Sequence, residues 1–352
     1  MSFLKIKNVS IRGVSACVPR KVEENINLPL FSSKTEVENV IESTGIERRL
    51  ICANAQTLSD LCVPAVERLL KELAWEKSSV AALVFISQTP DYVQPPTSCI
   101  LQDRLGFDTG CYTLDISSGC TGWVSGMSVL SGLLSGQTMK RGLLLCGDVS
   151  TRIKSPKDKA SWPLFGDAGT ATALEFDKNA ADMDYLFGTD GSGYDAIIMK
   201  HGGMRRPFTA ESFEYQEIEP GRWASNAHTQ MKGMDVFLFG ITTAPKITEE
   251  LLKYIGKTKE DIDYFLFHQA NKFLNERVRN KLGIISEKTP YSLKDFGNTS
   301  SASIPLTLVS QLRSEYSSKK LTSMAISFGI GLSWGAMSFV SQGIACPELL
   351  EI

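Results

Sequence analysis

The chain has 352 residues, enough for two domains or one large α/β unit with an ample core. Charged residues are 22% of it and the formal net charge is −2, so global electrostatics points neither to nucleic acid nor to an anionic membrane surface. The eight cysteines include no C-x-x-C pair and no Cys/His cluster at zinc spacing.

Lys5 and Lys7 are followed by no apolar leader segment, so no signal peptide is expected and the cysteines read as reduced cytosolic thiols. Residues 116–139 and 321–347 lack charge but are interrupted throughout by Ser and Gly. Close helix–sheet packing accounts for them better than a membrane span.

Residues 4–14 alternate apolar and polar, which predicts one half-buried edge strand. Residues 36–43 predict a short helix stopped by Gly45. Ser59 and Asp60 are N-cap candidates for a helix through about Ala74, with Leu61, Val66, Leu69 and Leu73 on its buried side. The apolar run 80–86 predicts a strand covered on both faces, and a loop with Pro90, Pro95 and Pro96 leads to a helix ending at Leu105-Gly106. Residues 112–116 read as a short strand, Ser117-Ser118-Gly119 as a tight turn, and 121–134 as a helix with apolar residues at helical spacing. A buried strand at 142–146 and a charged loop at 154–159 follow, and 174–176 close a first half.

The second half repeats the first. Leu69-Leu70-Lys71 precedes the strand 80–86 and Leu251-Leu252-Lys253 precedes 262–267, an offset of 182 residues counted from 70 to 252. The helices ending Leu105-Gly106-Phe107 and Leu282-Gly283-Ile284 are offset by 177, from 105 to 282. One duplicated α/β unit with largely parallel sheets is therefore expected. The division is a first half at 1–178 with Cys120, a connector at 179–235 lying over the site, and a second half at 236–352 with His268 and Asn298.

Cys120 sits where a strand turns into a helix, near free backbone N–H groups and the positive end of the helix dipole, which favour thiolate. Gly119 and Gly122 would let a substrate come close. The plain alternative is a buried structural cysteine. Of the three histidines, His201 and His228 lie in the connector and read as surface residues. His268 closes the strand 263–267, at the carboxyl end where ligands gather in parallel α/β sheets, although a turn-tying role fits as well. Asn298 lies in the counterpart of the Cys120 segment, where an asparagine is commonly an N-cap or turn residue. The strand ending Ser327-Phe328-Gly329-Ile330-Gly331 breaks into a turn able to aim N–H groups at an oxyanion, whereas no P-loop, no G-x-S-x-G and no dinucleotide fingerprint is found.

Ser118-Gly119-Cys120-Thr121-Gly122, His268-Gln269-Ala270-Asn271, Gly297-Asn298-Thr299-Ser300 and Phe328-Gly329-Ile330-Gly331 occur in this order over essentially the whole chain. In this the chain resembles the β-ketoacyl-acyl-carrier-protein synthase III family of the thiolase superfamily. Thr44-Gly45-Ile46 also matches, and Phe165-Gly166-Asp167-Ala168-Gly169 matches with one change. The resemblance implies a five-layered α-β-α-β-α thiolase-like fold and a Cys-His-Asn condensing enzyme. Cys120 would take an acyl group from a thioester, and the N–H groups of Cys120 and Ile330 would form the oxyanion hole. His268 and Asn298 would donate to the carbonyl of a malonyl thioester as it loses CO₂. No metal or redox cofactor is implied. The implied partners are an acyl thioester on coenzyme A or acyl carrier protein, a malonyl thioester, and a second copy of the chain; a cytoplasmic location is implied too.

Several positions depart from that pattern. Asn39 and Ser43 stand where Trp and Arg commonly sandwich the adenine of coenzyme A, Lys159 and Phe273 stand for arginines, and Ile330 is bulkier than the usual Gly or Ala. Lys159, with Lys272, Arg277 and Lys281 on the helix after His268, would contact the carrier or coenzyme A, although such a run also reads as an ordinary solvated helix face. Two other readings are an acyltransferase passing the Cys-bound acyl group to an alcohol or amine without decarboxylation, and a catalytically silent partner subunit.

Overall fold

The computed structural model describes all 352 residues. Its first departure from the expected pattern is at Asn8, whose left-handed φ of 62° breaks the N-terminal alternation. In place of one strand there are two, Ser2–Ile6 and Val9–Val18, and they enter different sheets. The six-stranded sheet runs Leu350–Glu351, Val9–Val18, Ala168–Phe176, Arg141–Asp148, Ala82–Ile86 and Tyr112–Ile116. The five-stranded sheet runs Ser2–Ile6, Met183–Thr189, Ser333–Gln342, Lys320–Gly329 and Tyr264–Phe267.

Strand pairing crosses the expected boundaries. Ser2–Ile6 from the first half and Met183–Thr189 from the connector both lie in the second sheet, while the C-terminal Leu350–Glu351 returns to the first. The sheets are also less parallel than expected: four pairings are parallel and five antiparallel. Parallel pairing needs a crossover element, and several neighbours here are joined without one. The hairpin of Lys320–Gly329 with Ser333–Gln342 is the clearest case.

The layers follow from which helix faces are apolar. Helices Leu58–Leu73 and Thr97–Leu105 cover the outer face of the first sheet, and Gly233–Ile255 and Lys272–Leu282 cover that of the second. Gly122–Ser135 and Ser303–Gln311 lie between the sheets, in a core cluster of 35 buried residues drawn from both halves. This is the five-layered α-β-α-β-α arrangement. Small residues make the central packing possible: a Cβ at Gly126 would come within 2.5 Å of methyls of Ile86 and Leu144. No helix is long and apolar enough to cross a membrane.

The repeat is visible in how helices end. Gly106 and Gly283 both take the left-handed conformation after Thr97–Leu105 and Lys272–Leu282. Helix Leu58–Leu73 begins two residues earlier than a Ser59 cap would set it. Thr57 is its N-cap and Asp60 accepts back from the Thr57 N–H at 2.9 Å, whereas Ser59 donates to Asp91. Strand Ala82–Ile86 is wholly buried and paired on both edges, so it needs no cover from a second subunit. One edge of that sheet is the two-residue strand Leu350–Glu351 and the other is Tyr112–Ile116.

Candidate active site

Cys120 lies between the strand Tyr112–Ile116 and the helix Gly122–Ser135, partly open to a cavity of about 110 Å³. Its neighbour across the halves is Gly329, where a Cβ would fall 2.9 Å from the Cys120 sulfur, so only glycine leaves the thiol room. The turn after Gly329 is fastened to the Cys120 loop: Ser333 Oγ donates to the Ile330 carbonyl at 2.7 Å and lies 3.2 Å from Thr121 Oγ1. Ile330 lines the same cavity as Cys120, and its N–H and that of Cys120 both act on the thiol. Burial pushes the thiol up to about 11, while Lys154 and these two N–H groups pull it down and Asp148 opposes them.

His268 extends the strand Tyr264–Phe267, its N–H donating to the Ile326 carbonyl at 2.8 Å. Asn275 Nδ2 holds the His268 carbonyl at 3.0 Å, and Ser303 Oγ lies 2.8 Å from Nδ1. The ring is buried edge-on against Phe328, and burial lowers its pKa to about 4, so it is neutral at pH 7. Asn298 is buried too. Its Oδ1 accepts from the Ser300 N–H at 2.9 Å, which leaves Nδ2 as the free end on the cavity wall.

The segment Phe165–Gly169 turns out to be the clasp on Asn298. The Gly166 N–H donates to the Asn298 carbonyl at 3.2 Å and the Asn298 N–H to the Leu164 carbonyl at 2.8 Å. A Cβ on Gly166 would strike the Phe296 carbonyl oxygen. Asp167 fixes the clasp by accepting from the Cys52 N–H at 2.8 Å and from Thr151 Oγ1 at 2.6 Å.

Cys120, His268, Asn298 and Ile330 thus line one cavity, roofed by Ile197, Thr229 and Met231 of the connector. His201 and His228 are half-buried rather than on the surface; they engage Ser212 and Ser225 and take no part in it. Sequence reasoning missed Lys154, Asp148 and Ser303. Lys154 was lost within a charged loop, yet it is buried on the cavity wall. No group of three or more His, Cys, Asp or Glu is placed to hold a metal ion.

Of the residues expected at the carrier surface, Lys159, Arg277 and Lys281 lie at two openings. Ser43, Lys159 and Phe273 line one of about 250 Å³, which shares Leu164 and Asn271 with the cavity at Cys120. Arg277 and Lys281 line a second with Phe273, and the Arg277 guanidinium lies 5.0 Å from that ring. Lys159 is paired with Glu36 at 2.8 Å, Lys272 is exposed with its Cβ against Gly45, and Asn39 is exposed on helix Lys34–Thr44.

Two repeated halves closing on one cavity with a cysteine, a histidine and an asparagine define a thiolase-fold condensing enzyme, an acyltransferase. Comparison with known proteins agrees. Family models described as 3-oxoacyl-[acyl-carrier-protein] synthase III and its C-terminal part match residues 114–191 and 252–340. The chain is 31% identical to a β-ketoacyl-[acyl-carrier-protein] synthase III of Natranaerobius thermophilus over 94% of this chain and 98% of that one. A 3-oxoacyl-(acyl-carrier protein) synthase structure from Burkholderia xenovorans superposes with a TM-score of 0.94 at 33% identity, covering 100% of this chain and 99% of that one. A β-ketoacyl-[acyl-carrier-protein] synthase III structure from Thermus thermophilus gives 0.80 at 27% identity, covering 95% and 99%. The chain belongs to the β-ketoacyl-[acyl-carrier-protein] synthase III family.

Proposed function

We propose that Cys120 is the acylated nucleophile of a decarboxylative condensation. Its sulfur attacks the carbonyl of an acyl thioester, and the N–H groups of Cys120 and Ile330 receive the oxyanion as the first thiol leaves. A malonyl thioester follows into the emptied entrance. His268 Nε2 and Asn298 Nδ2 donate to its thioester carbonyl, the C–CO₂ bond breaks, and the electron pair is held as the enolate. The enolate carbon attacks acyl-Cys120, giving a β-ketoacyl thioester and the free cysteine.

The observation that carries this reading is the state of the two donors. Asn298 spends its oxygen on the Ser300 N–H, and burial keeps His268 neutral, so two uncharged N–H groups remain to meet an enolate oxygen. Release of CO₂ from a malonyl thioester, measured with intact mass of the acyl-enzyme, tests it. Acyl transfer to an alcohol or amine with no CO₂ would replace it.

The first half supplies the nucleophile, the second the two donors, and the connector the cover. Lys272, Arg277 and Lys281 are exposed and fit the acidic surface of an acyl carrier protein, with Lys159 at the nearer opening. Helix Lys34–Thr44 offers no aromatic or guanidinium group at Asn39 or Ser43 for an adenine ring. Carrier-bound acyl groups are therefore favoured over coenzyme A thioesters. The edge strand Tyr112–Ile116 and the exposed Tyr92 and Val93 support a homodimer, and eight free cysteines fit a reducing cytoplasm.

A further inference from the structure

Lys154 follows the short turn Ser150–Ile153 and is only 6% exposed. Its ammonium lies 4.3 Å from the centroid of the Phe165 ring and has no carboxylate within ion-pair distance. Asp158 is taken by Arg222 at 2.7 Å. Asp148 accepts three hydrogen bonds on Oδ1, from Ser87, Gln88 and Thr89, and none on its buried Oδ2. Cys120, Asp148, Lys154 and His268 are the titratable groups on this cavity wall. A buried cation without a partner is costly, so an anion is expected to meet it during the reaction.

Two anions occur there, the Cys120 thiolate and the carboxylate of the incoming malonyl thioester. A cation fixed on the carboxylate would stabilise a charge that departs as neutral CO₂, and so would hold back the step. A cation near the sulfur acts where charge develops. Burial and Asp148 raise the thiol, and of the groups opposing them Lys154 acts most strongly, ahead of the two N–H groups. Reciprocally, Cys120 is the group that does most to keep Lys154 protonated against the burial that draws it down to about 8.

We propose that the Lys154 ammonium is the counter-charge of the Cys120 thiolate, supplementing the backbone N–H groups that face the sulfur. The proposal rests on Cys120 being the nucleophile. The S–H bond breaks with its electron pair left on sulfur, the proton passes to solvent, and the ammonium stays protonated beside the thiolate.

The test is the pH dependence of Cys120 alkylation by iodoacetamide in the full chain, followed by peptide mapping so that the exposed Cys99 is scored separately. Lys154→Met should raise the titration midpoint by about one pH unit. At pH 8 alkylation should fall roughly three- to tenfold, the lower figure if the more basic thiolate is more reactive. Lys154→Arg should restore most of the shift. If the Met variant does not fold, as judged by circular dichroism, Lys154→Gln replaces it. An unchanged midpoint in either neutral variant overturns the proposal, as does an Arg variant that titrates like the neutral ones. An unchanged midpoint with a raised KM for the malonyl thioester would assign the cation to the substrate carboxylate instead. Alkylation does not depend on acyl transfer, so failure to acylate Cys120 would count against the nucleophile reading separately.

Discussion

The Ser303 hydroxyl lies 2.8 Å from Nδ1 of His268, and the same oxygen faces the Gln269 N–H at 3.4 Å. With its oxygen open to that donor, Ser303 is placed to give its own hydrogen to Nδ1, which would put the imidazole proton on Nε2, the nitrogen proposed to meet the substrate. Ser303→Ala would remove this preference without removing the ring. One hydrogen bond of about 0.5–1.5 kcal/mol corresponds to a roughly two- to tenfold slower decarboxylation. Acylation of Cys120 should be unchanged. An equal loss in both half-reactions would show that Ser303 serves the fold rather than the tautomer.

His268→Ala and Asn298→Ala should separate the half-reactions further. Each removes a donor to the enolate, so CO₂ release should fall by roughly 10²–10³-fold while the acyl adduct still forms. Cys120→Ala should abolish the adduct. Stoichiometric acyl uptake by that variant, read by intact mass, would place the nucleophile elsewhere.

Gly329 admits a sharper steric prediction. A methyl there would sit 2.9 Å from the Cys120 sulfur and 2.7 Å from its Cβ, contacts that neither backbone can easily relieve. Gly329→Ala should therefore slow acylation by at least about tenfold, since a misplaced nucleophile loses near-attack geometry. Thermal melting compared with the parent chain separates this from a general loss of stability.

The neutral, buried His268 makes stability pH-dependent. Its folded pKa of about 4 lies below the ordinary value of 6.5, so between these limits the unfolded chain binds more protons at this residue. Stability should then fall as pH drops from 6.5 towards 4, by roughly 1.4 kcal/mol per pH unit from this residue alone. His268→Gln should flatten that part of the profile in urea unfolding followed against pH. A profile as steep as the parent's would assign the acid sensitivity to other groups.

The donor preference is tested by comparing kcat/KM for one acyl chain on coenzyme A and on carrier protein. A stacked base is worth about 1–3 kcal/mol, so its absence at Asn39 and Ser43 should cost the coenzyme A thioester roughly ten- to a hundredfold. Arg277→Glu with Lys281→Glu should weaken the carrier substrate and spare the coenzyme A one. Equal use of both donors by the parent chain would show that another surface binds the nucleotide.

Much of the molecule was legible before folding was considered, because local sequence governs local structure. Leu-Gly-apolar endings marked the left-handed helix stops at Gly106 and Gly283, and the all-apolar run marked the doubly covered strand Ala82–Ile86. The strand–turn–helix around Cys120, the strand end at His268 and the turn at Asn298 could be placed for the same reason. Other features depend on partners remote in sequence, so only the tertiary structure decided them. Val9–Val18 pairs with Ala168–Phe176 and Leu350–Glu351, while Ser2–Ile6 goes to the other sheet, because hydrogen bonding between strands carries no local signature. Ser303 reaches His268 from 35 residues away. Lys154 looks in the sequence like any solvated loop lysine; its burial on the cavity wall that Cys120 also lines comes from helices and sheets closing around it.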